Sequence, residues 1–275
     1  EFSCGVFLDF QKAFDTLNHT IFLQKLETYG VRGLAQNLFK SYLSNRKQQT
    51  NVNETISNTI TITHGVPQGS VLGPLLFLIY INDLNEAISH SLIHHFADDT
   101  SILYSNKSLK KINKYINHDL SLIIQWLRAN RISLNTGKTE IIIFRSPNKK
   151  ITKHLNFRIS GQKIIPTKRT KYLGIHLDEH LSWNFHIDQL KSKLSRCCGL
   201  LAKLRYYAST NLLRTIYFSI FESIMTYGCQ IWGQSKNEAL KSIGKVQEKA
   251  LRIINFKNKY DRFTPIFNMS KILKL

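Results

Sequence analysis

The chain has 275 residues, long enough for two modest domains with cores of their own. Lysine and arginine outnumber aspartate and glutamate 38 to 18, giving a net charge of +20 and an isoelectric point near 9.9, so the partner to expect is a polyanion. The longest apolar run, residues 71–81, contains Pro74 and is too short to cross a bilayer, which argues against a membrane partner. Cys4, Cys197, Cys198 and Cys229 show neither metal-ligand spacing nor a disulfide framework, and fit a reducing, intracellular compartment.

In chain order, Val6 to Phe10 reads as a buried strand, and Asn18 or Thr20 as the cap of a helix that carries Ile21, Leu23, Leu26 and Tyr29 and stops at Gly30. Leu34 to Leu43 reads as a second helix. Gln48 to Thr63 alternates in the manner of a hairpin with a polar outer face. The turn Gly65-Val-Pro-Gln-Gly69 and Ser70 lead into an apolar helix reaching Leu84. Apolar, β-rich flanks around Asp98-Asp99 predict a hairpin with buried arms. Leu109, Ile112, Ile116, Leu120, Ile123, Ile124 and Leu127 recur at helical spacing and predict a helix packed on a sheet over residues 108–130. Glu140 to Phe144 is a further strand, followed by hairpins around Gly161 and through Lys171 to Leu177.

From Trp183 the pattern is helical only. Trp183, Ile187, Leu190, Leu194, Cys197, Leu201 and Leu204 form one apolar seam, and two more helices are expected near 211–228 and 236–255. Sixteen Lys and Arg against five Asp and Glu follow Trp183. The expected fold class is therefore α+β: an antiparallel sheet with packed helices over residues 1–180, a small basic all-helical domain over 181–256, and a tail or the start of a further segment over 257–275.

Asp9, Asp98 and Asp99 sit among apolar residues, where a carboxylate is costly unless something compensates for it. An exposed turn at 98–99 and a helix cap at Asp9 would account for them without chemistry. Two divalent cations would also do so, and carboxylate-bridged metal pairs serve phosphoryl or nucleotidyl transfer. Because neighbours on a strand face opposite ways, only one of the pair should fully share the face of Asp9; Asp98 is the expected ligand, with Asp99 assisting from the turn. His94 and His95 in the same arm lack a third ligand at metal spacing and read as structural.

Five segments then occur in one order: Phe7-Leu-Asp-Phe-Gln-Lys-Ala-Phe-Asp15, Gly65-Val-Pro-Gln-Gly-Ser-Val-Leu-Gly-Pro74, Phe96-Ala-Asp-Asp-Thr100, Leu134-Asn-Thr-Gly-Lys-Thr139 and Tyr172-Leu-Gly174. On these the chain resembles the reverse transcriptase domain of non-LTR retrotransposons, of the jockey-like and related LINE kind. A group II intron maturase fits less well at Phe96-Ala97 and in the last third. The resemblance implies a right-hand polymerase palm followed by a helical thumb. It implies Asp9 and Asp98 as ligands of two Mg2+ ions (Mn2+ as a substitute), with Asp99 nearby and the Phe10 carbonyl as an extra oxygen donor. It further implies Phe14 as the ring that rejects a 2′-hydroxyl, Gln68 and Gly69 at the incoming nucleotide, and Lys138 as the acid for the leaving pyrophosphate. Tyr172, Leu173 and Gly174 would grip the primer, and Lys191, Lys193, Arg196, Lys203 and Arg205 would meet the duplex backbone. RNA template, DNA primer and deoxynucleoside triphosphates are the implied partners, and the nucleus the implied location.

Members of this family carry a fingers region before the first aspartate. A start at Glu1, without methionine, is expected to leave palm and thumb without fingers. Two functions therefore stand side by side: an RNA-directed DNA polymerase, and an inactive truncated remnant that retains only nucleic-acid binding.

Overall fold

The structure is a computed structural model that describes residues 1–151, 155–235 and 237–258. The chain divides into two compact units, one ending at Lys168 and one beginning at Arg169.

The first unit is built on a four-stranded sheet of β1 (Phe2–Asp9), β6 (Leu92–Phe96), β7 (Asp99–Asn106) and β8 (Glu140–Phe144), in the order β6-β7-β1-β8 with every neighbouring pair antiparallel. Strand alternation sorts its side chains: Cys4, Val6 and Leu8 of β1 are buried and stand opposite Tyr104, Ile102 and Thr100 of β7. They share one core with Leu76, Phe77, Tyr80 and Ile81 of α4 (Leu72–Ile81) and with the seam Ile112, Ile116, Leu120, Ile123 and Leu127 of α5 (Leu109–Ala129). A short 3-10 turn, Asn82–Ala87, continues α4, and β9 (Phe157–Ile159) pairs with β10 (Gln162–Ile164).

Before α4 the chain forms α1 (Ala13–Thr16), α2 (His19–Thr28) and α3 (Gly33–Leu43). Of the two expected caps the structure uses Asn18, whose side-chain oxygen accepts from the Ile21 N–H at 3.1 Å. The expected hairpin forms as an exposed double ladder: β2 (Lys47–Gln48) pairs with β5 (Ile60–Thr61), and β3 (Asn51–Val52) pairs with β4 (Thr55–Ile56). Asn53 and Glu54 close it with positive φ at both positions, the geometry that matches strand twist in a two-residue loop.

In the second unit, β11 (Arg169–Tyr172) and β12 (Ile175–Asp178) form a hairpin, so this element groups with the helices, earlier than a boundary near residue 180. Helices α6 (Asn184–Leu204), α7 (Thr210–Ile216), α8 (Ser223–Thr226), α9 (Cys229–Trp232) and α10 (Asn237–Ile254) follow. The α6 seam buries Ile187, Leu190, Leu194 and Leu201 as expected, but Cys198 is buried in place of Cys197. The helix near 211–228 is interrupted by a π-helical stretch, Tyr217–Glu222, where the rings of Tyr217 and Phe221 stack at 5.0 Å. The expected segment 257–275 falls largely outside the described residues. All four cysteines are free, and no helix among the described residues is long and apolar enough to cross a membrane.

The half-buried Lys25 ties elements of the first unit together. Lys25 of α2 donates to the Tyr80 carbonyl at 2.7 Å and to the Asp83 carboxylate at 2.6 Å, and its ammonium lies 4.9 Å from the Tyr80 ring centre and 4.8 Å from that of Trp126. Lys25→Ala removes all of these contacts and leaves Asp83 without its partner. A loss of about 2 kcal/mol is expected, read as an earlier urea midpoint of the full chain, with Lys25→Arg retaining more stability than Lys25→Ala.

Candidate active site

Where β1 ends, Asp9 stands directly across from Asp99, and the next residues back from Asp99 form a two-residue loop, Ala97-Asp98. Ala97 takes a left-handed φ of 53° there, a conformation costly for a residue with a side chain. Asp9 is half-buried, while Asp98 and Asp99 are exposed at the tip. The Asp99 carboxyl is held above its ordinary range, first by partial burial and then by the negative charges of Asp98 and Asp9, so the three groups feel one another. Among the described residues none of the three forms an ion pair with a basic side chain.

Two expectations change here. The arm β6 is an edge strand with Leu92, His94 and Phe96 exposed, so only the β7 arm is buried. The residue in register with Asp9 is Asp99, not Asp98, because the strand begins one residue later than its apolar flank suggests. His95 is structural as expected: its Nδ1 bonds the Thr100 hydroxyl at 3.0 Å, and burial lowers its basicity, helped by His94.

Beyond Asp9, residues 133–139 are laid against the strand end. Ser133 accepts from the Gln11 N–H and Asn135 donates to the Asp9 carbonyl, both at 2.8 Å, about the bridge between Phe10 and Leu134. The Asn135 carbonyl then gathers the N–H groups of Lys138 at 3.1 Å and Thr139 at 3.0 Å. An exposed Lys138 is thereby fixed on a tight loop whose base is the backbone of Asp9 itself. The Phe10 ring is buried, 6.4 Å from Phe77, and the half-buried Phe14 ring lies 5.4 Å from the same phenylalanine.

The glycine-rich turn docks on the segment that follows Asp9. Val66 donates to the Phe14 carbonyl and Gly65 to the Leu17 carbonyl, each at 2.7 Å, while His19 Nε2 donates to the Gly65 carbonyl at 2.7 Å. Only glycine fits at 65: φ is +81°, and a Cβ would stand 2.8 Å from the Asp15 Cα. The exposed Gln68 then reaches Asp15, its amide donating at 2.9 Å, with Gly69 beside it at φ +83°. Asp15, Arg46, Lys47, Gln48, His64 and Gln68 line an open cleft of about 590 Å³. Nothing in the local sequence distinguishes Arg46 and Lys47. Only their return beside Gln68, through β2–β5 pairing, marks them.

In the second unit, Leu173 and Gly174 make the two-residue turn of the β11–β12 hairpin with φ of 45° and 80°. Tyr227, unremarked in the sequence, donates its hydroxyl to the Leu173 carbonyl at 2.7 Å, and Gly174 passes so close that a Cβ would meet the Tyr227 ring at 3.2 Å. Tyr172 is half-buried. Below the turn a cavity of about 320 Å³ is lined by His176, His186, Lys193 and Tyr227, among others. Lys191, Lys193, Arg196 and Lys203 are exposed on α6, and Arg196 and Lys203, seven residues apart, share a side of it. Arg205 is diverted onto the Phe256 ring at 4.8 Å. The exposed pair Tyr206-Tyr207 follows directly.

Adjacent carboxylates presented by a hairpin beside a third on the neighbouring central strand sit on an α+β fold of the polymerase-palm kind. Residues 2–177 match the family model for reverse transcriptase (RNA-dependent DNA polymerase), and the chain belongs to that family. It is 30% identical over 266 residues to a probable RNA-directed DNA polymerase from transposon X-element of Drosophila melanogaster, covering 92% of this chain and 28% of that protein. It is also 30% identical over 286 residues to the RNA-directed DNA polymerase from mobile element jockey of the same organism, covering 100% and 31%. The chain thus spans about three tenths of the length of these curated relatives. Among solved structures, telomerase from Candida albicans in complex with a telomeric RNA fragment matches with a TM-score of 0.43 at 11% identity, over 98% of this chain and 46% of that one.

His186 supplies a pH test of the second unit. Its Nδ1 accepts from the His176 N–H at 3.3 Å, and burial first, then His176 and Lys193, lower its pKa to about 4. Unfolded, the ring takes a proton near 6.5, so its contribution is fully present above that value and is lost as pH falls through about 4. Thermal midpoints measured between those limits are expected to fall with pH, and less steeply in His186→Gln.

Proposed function

We propose that the chain performs RNA-directed DNA polymerisation, adding deoxynucleotides to the 3′-hydroxyl of a DNA primer on an RNA template. One observation supports this reading: the β1–β7 register sets Asp9 across from Asp99, with Asp98 on the adjoining turn, and none of the three has a basic partner among the described residues. Their all-oxygen donor set fits Mg2+, with Mn2+ as a substitute. Asp9, with Asp98 reaching in from the adjoining turn, would hold two such ions, with Asp99 across from Asp9 as a further carboxylate and the Phe10 carbonyl as an added donor. When bound, the ions supply the charge that makes the primer hydroxyl a better nucleophile and the pyrophosphate a better leaving group.

The protein's own groups do the rest. Lys138, on the loop anchored to the Asp9 carbonyl, gives its proton to the departing pyrophosphate. Gln68 and Gly69 face the incoming nucleotide, and the bond to Asp15 keeps the Gln68 amide oriented for it. Phe14, backed by Phe77, closes the space that a 2′-hydroxyl would need. Tyr172, Leu173 and Gly174 hold the primer strand on a turn pinned by Tyr227. Lys191, Lys193, Arg196 and Lys203 neutralise duplex phosphates without reading sequence; Arg205, just past the end of that helix and held on the Phe256 ring, adds its charge to the same region. Residues 1–168 act as the palm and 169–256 as the thumb, so the 169–178 hairpin goes with the thumb and the palm stops short of the expected boundary near 180. The likeness to mobile-element polymerases is the support for a nuclear location.

Primer extension on an RNA template with Mg2+ tests the reading. Asp9→Ala and Asp98→Ala are each expected to lower extension about a hundredfold or more, with duplex retention on a filter unchanged. Phe14→Val is expected to raise ribonucleotide use. Extension unaffected by Asp98→Ala would sink the proposal, and duplex retention without extension by the unaltered chain would instead favour a binding remnant.

A further inference from the structure

A second cluster of ligand atoms lies outside the palm carboxylates. Asp119, in the middle of α5, is 0% exposed, although it is a carboxylate in the apolar seam between Ile116 and Leu120. Its Oδ1 lies 3.1 Å from His90 Nδ1 and 3.3 Å from His118 Nδ1, and the three ligand atoms fall within 4.8 Å of one another. Ser91 donates its hydroxyl to Oδ2 at 3.2 Å, which engages the oxygen that faces away from the imidazoles. Stacking on Tyr115 at 4.5 Å and 16° fixes the His90 ring, and His118 meets it edge-on at 5.3 Å.

A fully buried carboxylate is retained where a positive charge compensates for it. Among the described residues no lysine or arginine pairs with Asp119; its ion-pair partners are these two histidines. One protonated ring beside one neutral ring would balance Asp119, and so would a divalent ion; two imidazolium rings converging on one oxygen would repel each other. A single divalent ion supplies that charge and is bound by neutral imidazole. Bond lengths of about 2.0–2.2 Å around tetrahedral zinc place neighbouring ligand atoms roughly 3.3–3.5 Å apart, close to the two nitrogen–oxygen separations found here, with the two ring nitrogens within 4.8 Å of each other. The His90 and His118 side chains are 34% and 53% exposed, so the site is open to an entering ion and to a water as fourth ligand.

We propose that His90, His118 and Asp119 form a transition-metal site that takes Zn2+, distinct from the all-oxygen site of Asp9, Asp98 and Asp99. Two nitrogens and one carboxylate oxygen select a borderline ion over Mg2+. The ion ties the loop that enters β6 to α5. That loop leads into the edge strand whose far end carries the Asp98-Asp99 turn, so the site is a staple for the catalytic hairpin and takes no part in the chemistry.

The test uses the 275-residue chain stripped of metal by a chelator and titrated with Zn2+ in excess Mg2+, by calorimetry and by thermal midpoint. Co2+ serves as an optical probe, because tetrahedral sites absorb far more strongly in the visible than octahedral ones. One Zn2+ per chain is expected, with a raised midpoint, intense Co2+ bands, and affinity lowered at least about tenfold in both His90→Gln and His118→Gln. His118 is the more exposed, and its replacement is checked for an unchanged circular-dichroism spectrum. An absence of Zn2+ binding, or binding with unaltered affinity in a folded His118→Gln chain, would overturn the proposal and leave the cluster as a hydrogen-bonded network.

Discussion

The pairing of β1 with β7 is the constraint on which the palm depends. Side chains alternate along a strand, so a slip of one residue would turn Asp9 away from Asp99 and carry Cys4, Val6 and Leu8 out of the core at the same time. Burial of those three residues against Thr100, Ile102 and Tyr104 thus enforces the register that sets Asp9 across from Asp99. The acidic site is assembled against its own electrostatic repulsion by hydrophobic burial on the opposite face of the same strands; the Asp99 carboxyl is raised first by partial burial and then by the charges of Asp98 and Asp9.

The remaining site elements are fastened to the same strand end or to the turn just beyond it. The Lys138 loop hangs on the Asp9 carbonyl, and the Gly65–Gly69 turn hangs on the carbonyls of Phe14 and Leu17. Backbone hydrogen bonds carry both attachments, which leaves side chains such as Lys138 and Gln68 exposed and available. Positive φ at Ala97, Gly65 and Gly69 marks where the chain bends most sharply around the site.

Much of this was legible in the sequence because it rests on local patterns. The α5 seam, the Asn18 cap, the strand from Glu140 to Phe144 and the glycine turn all announce themselves through spacing or residue type. What was not legible depends on partners far apart in the chain. Whether Asp98 or Asp99 faces Asp9 is decided by where β7 begins to pair, which apolar flanks do not fix to one residue. The bonds from Gln68 to Asp15 and from Tyr227 to Leu173 join residues 53 and 54 positions apart and leave no periodic trace. The Cys197 to Cys198 shift reflects the actual face of α6, since a seven-residue pattern drifts on a 3.6-residue helix. Asp119, at a buried position of a strongly patterned helix, carried the one signal that was available and went unread: a charge inside an apolar seam.

The central claim is that Asp9, Asp98 and Asp99 act as one site for two divalent ions. Electron paramagnetic resonance of the chain during titration with Mn2+ tests it most directly, since ions about 3.5–4 Å apart couple their spins. The account predicts two ions with a coupled spectrum in the unaltered chain and loss of that coupling in Asp9→Asn; a spectrum of isolated ions only, or coupling that survives Asp9→Asn, would contradict it.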